Sequence, residues 1–496
     1  MNKKTSTEKK KFELPHIFVL LCLIIVVCAV ATWILPAGEF DRTVNEAGTE
    51  VVVPGTYHTV EASPVGPFET VKSIYFGMLN GGGVIFFVFI AYASIGLMIS
   101  TGAFNGLVAG LLKILKGKTR AIIIPIFITV LGIASSTIGV FEEAFPFIPI
   151  FVGISIAMGY DAIVGLAIVA LGTGLGYSGA VMNPFTVGTA QSIAGLPQMS
   201  GAGFRIVSHV LMIIVASIFT IRYALKIQAD PSKSLVRGDD FSHMTMNPED
   251  IEKHPFGIRE KLVLGVLGVG IVVIVWGTKY KGWYFEDLSG VFLIMGIISS
   301  IIMGWGPNTI AKKIAQSFSD IAVACMMIGI ARGILVVMQD GHIIDTVVYG
   351  LSIPLSKLPG WLSGEAMLLV QSLLNFLIPS GSGQAVTSIP IMAPLADLCG
   401  ISRQVAVLAF QFGDGLSNIL WPTAMAPIMC GIAGLRESKW KNGGSSWFQS
   451  SWFCFLHRQF SLPLLLLSCS RIKRNILKGN RLFVCGNNGL FVNHSF

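Results

Sequence analysis

Apolar runs separated by short polar stretches fill most of the chain. Six of them approach the length of a bilayer crossing: Ile17 to Ile34, Val84 to Ser100, Ile206 to Tyr223, Leu262 to Trp276, Val291 to Trp305 and Ile321 to Met338. A hydrocarbon core of about 30 Å takes roughly 20 helical residues, so each run predicts a transmembrane helix. Other apolar runs are interrupted, and the interruptions repeat. Ser135-Ser136-Thr137-Ile138-Gly139 breaks one helix and Gly172-Thr173-Gly174-Leu175 the next, and Ser380-Gly381-Ser382-Gly383 and Gly413-Asp414-Gly415-Leu416 do the same later. Hydrocarbon tolerates unwound backbone only where protein or a water-filled cavity satisfies its polar groups. Paired breaks in corresponding halves therefore predict a solute site between two repeats.

Composition agrees, with 53% hydrophobic and 12% charged residues over 496 positions. A net charge of +8 could suggest nucleic acid, but the basic residues sit in short segments between apolar runs, where membrane orientation explains them and no nucleic-acid partner is expected. The eight cysteines lack paired ligand spacing; Cys22, Cys28, Cys325, Cys399 and Cys430 read as small hydrophobes in or beside helices.

Lys3, Lys4, Lys9, Lys10 and Lys11 precede the first span, which places a 1–15 terminus in the cytoplasm, followed by an uncleaved helix. The first half then covers 16–225, with an outer loop over 38–72 that is rich in acids. Lys113, Lys116, Lys118 and Arg120 mark a return to the cytoplasm. A proline-bearing linker over 226–260 is also cytoplasmic and separates a second half over 261–435.

From Ala121 the chain re-enters for about 14 residues, too few to cross at 1.5 Å per residue, and turns back at Ser135 and Ser136. Phe141 to Met158 returns it to Gly159-Tyr160-Asp161. Ala162 to Leu171 enters again and breaks at Gly172-Thr173-Gly174. The second half is inverted: Ala366 to Ile378 enters from outside, Ser380 to Gly383 breaks it, Ala385 to Leu398 returns, and a helix from Gln404 breaks at Gly413-Asp414-Gly415. The expected fold is an all-α polytopic membrane protein of inverted repeats, with two re-entrant hairpins and two broken transmembrane helices. Half-helix ends of opposite polarity would meet near the midplane.

The runs Phe141-Glu142-Glu143-Ala144-Phe145-Pro146-Phe147 and Gly172-Thr173-Gly174-Leu175-Gly176-Tyr177-Ser178-Gly179, together with Asn183-Pro184-Phe185-Thr186 and Trp421-Pro422-Thr423, resemble the C4-dicarboxylate anaerobic carrier family. Within it they resemble the YfcC-like branch, which groups with basic amino-acid exchangers. The resemblance runs from about Glu13 to Leu435. It implies ion-transporter-superfamily architecture, an elevator motion, a homodimer and a place in the bacterial cytoplasmic membrane. The implied activity is secondary transport, by symport or exchange, of an amino acid or a C4-dicarboxylate. The motifs define architecture better than cargo.

Each intramembrane polar residue carries a functional and a structural reading. Asp414 lies at a break, where an ionised carboxylate needs a cation or proton, so it is the expected coupling-ion ligand (Na+ or H+) with Thr173 and Asn418; its structural alternative is a pair with Arg332 or Arg403. Ser135, Ser136, Thr137, Ser380, Gly381 and Ser382 offer hydroxyls and free backbone groups to a solute, although hydroxyls also cap helix ends. Asn183, Thr186 and Thr423 are further substrate-binding candidates. Glu142 and Glu143 would set charge selectivity, or else be salt-bridged to Arg205 or Arg332. His209 reads as an interfacial hydrogen-bonding residue rather than a proton relay.

Two other functions compete. A passive channel would share the breaks but not accumulate solute. An intramembrane protease would use Ser178 of Gly176-Tyr177-Ser178-Gly179 with His209, yet four residues in a chain of 55 glycines are a weak match. After Arg436 the composition turns basic and rich in Ser, Cys and Asn. Residues 436–496 read as an aberrant tail, out of frame or degraded, with a genuine divergent tail spanning Phe453 to Leu467 as the alternative.

Overall fold

The computed structural model describes residues 16–44, 50–115, 117–239, 241, 244 and 257–435. The N-terminal lysines, part of the 226–260 linker including Pro248 and Pro255, and the whole 436–496 tail lie outside the described residues.

All six uninterrupted runs form helices: α1 (Ile17–Ile34), α3 (Gly82–Ile99), α9 (Ala202–Ala229), α10 (Ile258–Lys281), α11 (Phe285–Ile302) and α12 (Pro307–Asp340). Between them lie α2 (Pro67–Asn80), α4 (Ala103–Ile114), α5 (Ile123–Ile138), α6 (Ile148–Ala157), α7 (Ala162–Ser178), α8 (Thr189–Ile193) and α13 (Ile344–Leu355), and then α14 (Gly360–Leu377), α15 (Gly381–Leu398), α16 (Arg403–Asn418) and α17 (Met425–Ile432). Seven helices among the described residues are long and apolar enough to cross a membrane: those six, and Gly117–Ile138. That seventh corrects the expected 14-residue arm. A 3-10 turn over Gly117–Ile122 runs straight into α5, so its length does not by itself force a return.

The helices form two packed groups. In one, α12 packs on α1, α2 and α3, while α11 packs on α3 and α10. Glycines allow the closest approach: a Cβ on Gly77 would lie 2.5 Å from the Gly333 nitrogen, and one on Gly81 3.4 Å from the Arg332 Cγ. Gly77 on α2 thus meets Gly329 and Gly333 on α12, a close crossing at small residues of the kind lipid-embedded helices use. In the other group α5 and α6 both pack on α7, α14 and α15 both pack on α16, and α7 packs on α16. The same three-helix unit therefore occurs twice, with its third helix central each time. Helix α17 bridges the groups through contacts with α12 and α7.

Two expected breaks are absent. Helix α7 runs unbroken through Gly172–Leu175, and α16 through Gly413–Leu416. Their glycines serve close packing. A Cβ on Gly172 would sit 2.9 Å from the Leu131 Cβ, one on Gly176 would overlap the Gly132 backbone, one on Gly413 would sit 2.9 Å from the Leu368 carbonyl, and one on Gly415 would overlap the Ser178 backbone. The helices end one turn later, at Gly179 and at Ile419, and the chain resumes at Pro184 and Met425. The other two breaks stand at slightly shifted places. Gly139, at φ 83°, ends α5 in the left-handed region that glycine enters freely, and Ile378 to Ser380 separates α14 from α15.

The all-α expectation needs one amendment. The outer loop forms two small antiparallel pairs, β1 (Gly38–Glu39) with β4 (His58–Thr59) and β2 (Arg42–Val44) with β3 (Glu50–Val52). It then ends at Gly66 rather than at Lys72, because Pro67 starts α2. The loop is fastened by Arg42, which pairs with buried Asp345 at 2.8 Å, and by the stacked rings of Tyr57 and Tyr349. Cys22, Cys28, Cys325, Cys399 and Cys430 form no disulfide among the described residues.

Candidate functional site

The central carboxylate is Asp414, fully buried on α16. Its Oδ1 accepts hydrogen bonds from Asn375 Nδ2 at 2.5 Å and Asn418 Nδ2 at 3.2 Å. Its Oδ2 has no partner of hydrogen-bond geometry, although the Tyr177 hydroxyl lies beside it. Gly381, the first residue of α15, leaves the room: a Cβ there would sit 2.9 Å from Asp414 Oδ2 and 3.0 Å from Thr186 Cγ2, and would collide with the Tyr177 hydroxyl. Thr186 Oγ1 and Asn375 Oδ1 are buried without a partner as well. Asp414 Oδ2 is thus unsatisfied at the start of α15, and residues that adjoin it from two other chain segments, Asn375 and Thr186, also carry unsatisfied oxygens, a donor set suited to a hard cation or a proton.

Neighbouring bonds fix this cluster. Gln371 on α14 is bonded to Gln384 and Ser388 on α15, closing that helix pair. Gln411 Nε2 donates to the Tyr177 carbonyl at 2.6 Å, which joins α16 to α7. Beyond α16, Trp421 Nε1 donates to the Ser372 carbonyl and Thr423 Oγ1 to the Phe376 carbonyl, so the break is pinned to α14. Ser380 Oγ accepts from Gly383 N and caps α15, while the Ser382 side chain is exposed at the same turn.

In the first half the predicted hydroxyls point elsewhere. Ser135 Oγ donates to the Thr173 carbonyl at 2.8 Å and Ser136 Oγ to the Gly179 carbonyl at 3.3 Å, while Thr137 Oγ1 donates to the Ile133 carbonyl. They knit α5 to α7 or to itself. Thr173 Oγ1 donates to the Val169 carbonyl of its own helix, and the side-chain bonds around Asp414 come from Asn375 and Asn418 instead. Asn183 caps the wide helical turn Pro184–Gly188, accepting from Phe185 N at 2.9 Å. The first tip still reaches the site, since the Phe141 ring packs edge-on against Tyr177 at 5.0 Å. Of the expected ligands the fold therefore groups Asp414, Asn418, Thr186 and Gly381, and leaves Thr173, Ser135, Ser136 and Thr137 as packing bonds.

The structural pairings proposed for the charges are mostly absent. Arg403 pairs with Asp397 at 2.7 Å, not with Asp414. Arg205, 1% exposed, donates to the carbonyls of Ser200 and Val181 and so holds the chain after α7 in place. Glu143 accepts from the Phe141 nitrogen at 2.8 Å and shapes the first tip. Among the described residues, no ion pair joins Glu142 or Glu143 to Arg332 or Arg205. Arg332 instead opens on a crevice lined by Pro379, Thr423, Ala424 and Met425.

A family model described as "DcuC: C4-dicarboxylate anaerobic carrier" matches residues 14–444. The chain belongs to that family. The carrier is 29% identical over 489 residues to the "Putative basic amino acid antiporter YfcC" of Escherichia coli K12, an alignment covering 89% of this chain and 94% of the other. It is 30% identical over 479 residues to an uncharacterized protein of Haemophilus influenzae, covering 88% and 94%. Among solved structures it is similar to the Alcanivorax borkumensis YdaH transporter (TM-score 0.41, 14% identity, 94% of this chain and 99% of that one). A second is Neisseria gonorrhoeae MtrF, of a class of antimetabolite efflux pumps (TM-score 0.43, 16% identity, 92% and 95%).

Membership of a membrane-transporter family ends the protease reading, and the geometry of the carrier agrees. Ser178 Oγ donates to the Gly174 carbonyl of its own helix, and His209 Nδ1 lies 3.3 Å from the Gly179 carbonyl, so the two share no bond. His209 is buried where α9 packs on α7. Sequence reasoning missed Asn375 and Gln371, which lie inside an apolar run. Their one signal was amides at positions 371 and 375, one turn apart and hence on one helix face. It also missed Tyr177 as a site residue, having taken it as part of a motif.

Proposed function

We propose that the carrier is a secondary active transporter in which a cation bound at Asp414 is coupled to the movement of a small charged organic solute across the bacterial cytoplasmic membrane. The observation that carries this reading is Asp414 Oδ2, buried without a hydrogen-bond partner beside Gly381; Thr186, which also approaches Gly381, and Asn375, which is bonded to Asp414, each carry a buried unpartnered oxygen as well. A buried carboxylate with one unsatisfied oxygen is costly in a membrane interior unless a cation or proton completes it. The ligands come from α14, α16 and the turn at Pro184–Gly188, so both repeats contribute, as a coupled site requires. Na+ or H+ fits this donor set.

The family description and the antiporter name of the Escherichia coli relative support carboxylate-bearing cargo, either an amino acid or a C4-dicarboxylate, moved by symport or exchange. The three-helix units that meet at α7 and α16 would move as one body against the group built on α12, an elevator motion, within a homodimer having a cytoplasmic N-terminus.

Asp414→Asn tests the coupling site, because it removes the charge with little change in volume. Reconstituted protein should lose concentrative uptake, and purified protein should lose its Na+- or pH-dependent gain in thermal stability, while its gel-filtration profile stays that of the wild type. Wild-type accumulation and cation response in Asp414→Asn would remove the proposal. Uptake that equilibrates but never accumulates, in the wild type, would make the protein a channel.

A further inference from the structure

Arg332 sits on α12 about two turns from the end of that helix, in a stretch where every neighbour from Gly329 to Met338 is buried. A guanidinium does not shed its proton, so its charge persists in this surrounding. Nevertheless its side chain makes no hydrogen bond and no ion pair with any described residue. Such a residue is expensive unless it serves a solute or pairs with another charge. The backbone opposite gives it space: Gly81 separates α2 from α3, which begins with Gly82 and Gly83, and Gly81 lies against the Arg332 stem. Arg332 lines a crevice with Pro379, at the break before α15, and with Thr423, Ala424 and Met425, at the break before α17. Met425 begins α17, whose N-terminus has no side-chain cap. Positive charge and free N–H groups thus adjoin the same space.

Glu142 is an intramembrane acid that forms no ion pair with Arg332. Glu142 belongs to the turn Glu142–Phe147, which packs on α3, as α12 does. A cation and an anion are therefore held beside the breaks of both repeats and apart from each other.

We propose that Arg332 anchors the carboxylate of the transported solute, and that Glu142 faces its ammonium group, so that the cargo is a zwitterion with one carboxylate near this end, an amino acid rather than a dicarboxylate. The guanidinium fork matches a carboxylate in bidentate fashion. A second carboxylate would meet Glu142 and be repelled. This assignment rests on the transporter reading above and goes further by fixing the class of cargo and an anchor supplied by the helix group outside the repeats.

The test uses the full-length protein in detergent and in proteoliposomes, with L-arginine, agmatine (the same molecule without its carboxylate) and succinate as probes. L-arginine should stabilise the wild type, and agmatine and succinate should not. Arg332→Met keeps the stem and removes the charge; it should raise the half-saturating L-arginine concentration by about tenfold or more, the usual scale for losing a charged hydrogen-bonding pair. Arg332→Lys should recover part of that loss, and Glu142→Gln should weaken discrimination against succinate. The Na+ or pH response of both Arg332 variants should stay that of the wild type, which shows that they are folded and separates this site from Asp414. Unchanged L-arginine saturation in Arg332→Met, or equal binding of agmatine, overturns the anchor while leaving cation-coupled transport standing. Succinate binding in place of L-arginine overturns the zwitterion. Absence of any response to all three probes, together with no accumulation, overturns both this assignment and the transporter reading.

Discussion

Thr173 and Asp414 occupy the same place in the two repeats, each between two glycines on the central helix of its three-helix unit. Their surroundings differ. The Thr173 hydroxyl is satisfied by the Val169 carbonyl of its own helix, so its position needs nothing from outside. Asp414 depends on Asn375 and Asn418 and still keeps one oxygen unpartnered. The same backbone thus supports a closed, structural position in one half and an open, chemically unfinished one in the other. A repeat supplies shape twice, and function can be placed in only one copy.

Moving the carboxylate is the strongest way to break this comparison. Thr173→Asp would bury a charge where the side-chain donor at residue 173, the Ser135 hydroxyl, is already bonded to the backbone carbonyl, at a cost of about 3–5 kcal/mol. Folded yield in the membrane should collapse, as read by fluorescence size-exclusion profiles; a stable Thr173→Asp protein would mean that the two positions are chemically alike.

The glycines should matter equally in both halves. Gly176→Ala and Gly415→Ala each press a methyl group into a facing backbone, Gly132 in one case and Ser178 in the other, and each should lower stability by about 1–3 kcal/mol. Denaturation of the purified variants would check this, and a neutral result at either position would place the close crossing in doubt.

Smaller effects should sharpen the contrast between hydroxyls. Ser136 Oγ donates to the Gly179 carbonyl and accepts from Val181 N, which also bonds the Ser136 backbone carbonyl, so Ser136→Ala removes the hydroxyl's bonds without orphaning that N–H and should cost about 1 kcal/mol. Thr173→Val deletes only a bond within its own helix; its effect on stability should be smaller still, and its cation response should match the wild type. A lost cation response in Thr173→Val would return Thr173 to the coupling site.

The distinction could be read only in part from the residue pattern. Hydropathy located the spans because lipid demands long apolar helices, and the order of Ser-rich and Gly-rich segments revealed the repeat. Glycine was the ambiguous signal. In Gly172-Thr173-Gly174 and Gly413-Asp414-Gly415 it suggested unwinding, yet both segments stay helical and use the missing side chains to cross a neighbour closely. Glycine lowers helix propensity and also removes bulk, and a single strand of sequence does not say which property is in use. The hydroxyls of Ser135, Ser136 and Thr137 were misplaced for a related reason, since a donor shows its target only when the opposite helix is in position.

The sequence by itself determined a membrane chain with two related halves, a family, and one carboxylate that a bilayer would not leave idle. Those follow from local chemistry, because burial cost and helix length depend on residue type and spacing alone. The tertiary structure decided which polar groups surround that carboxylate. Asn375, Thr186 and Tyr177 lie on separate segments and become its neighbours only when α7 crosses α16 and Gly381 lets α15 begin against them. Whether a buried oxygen is satisfied depends on geometry between segments distant in the chain, and that is set by how the helices pack.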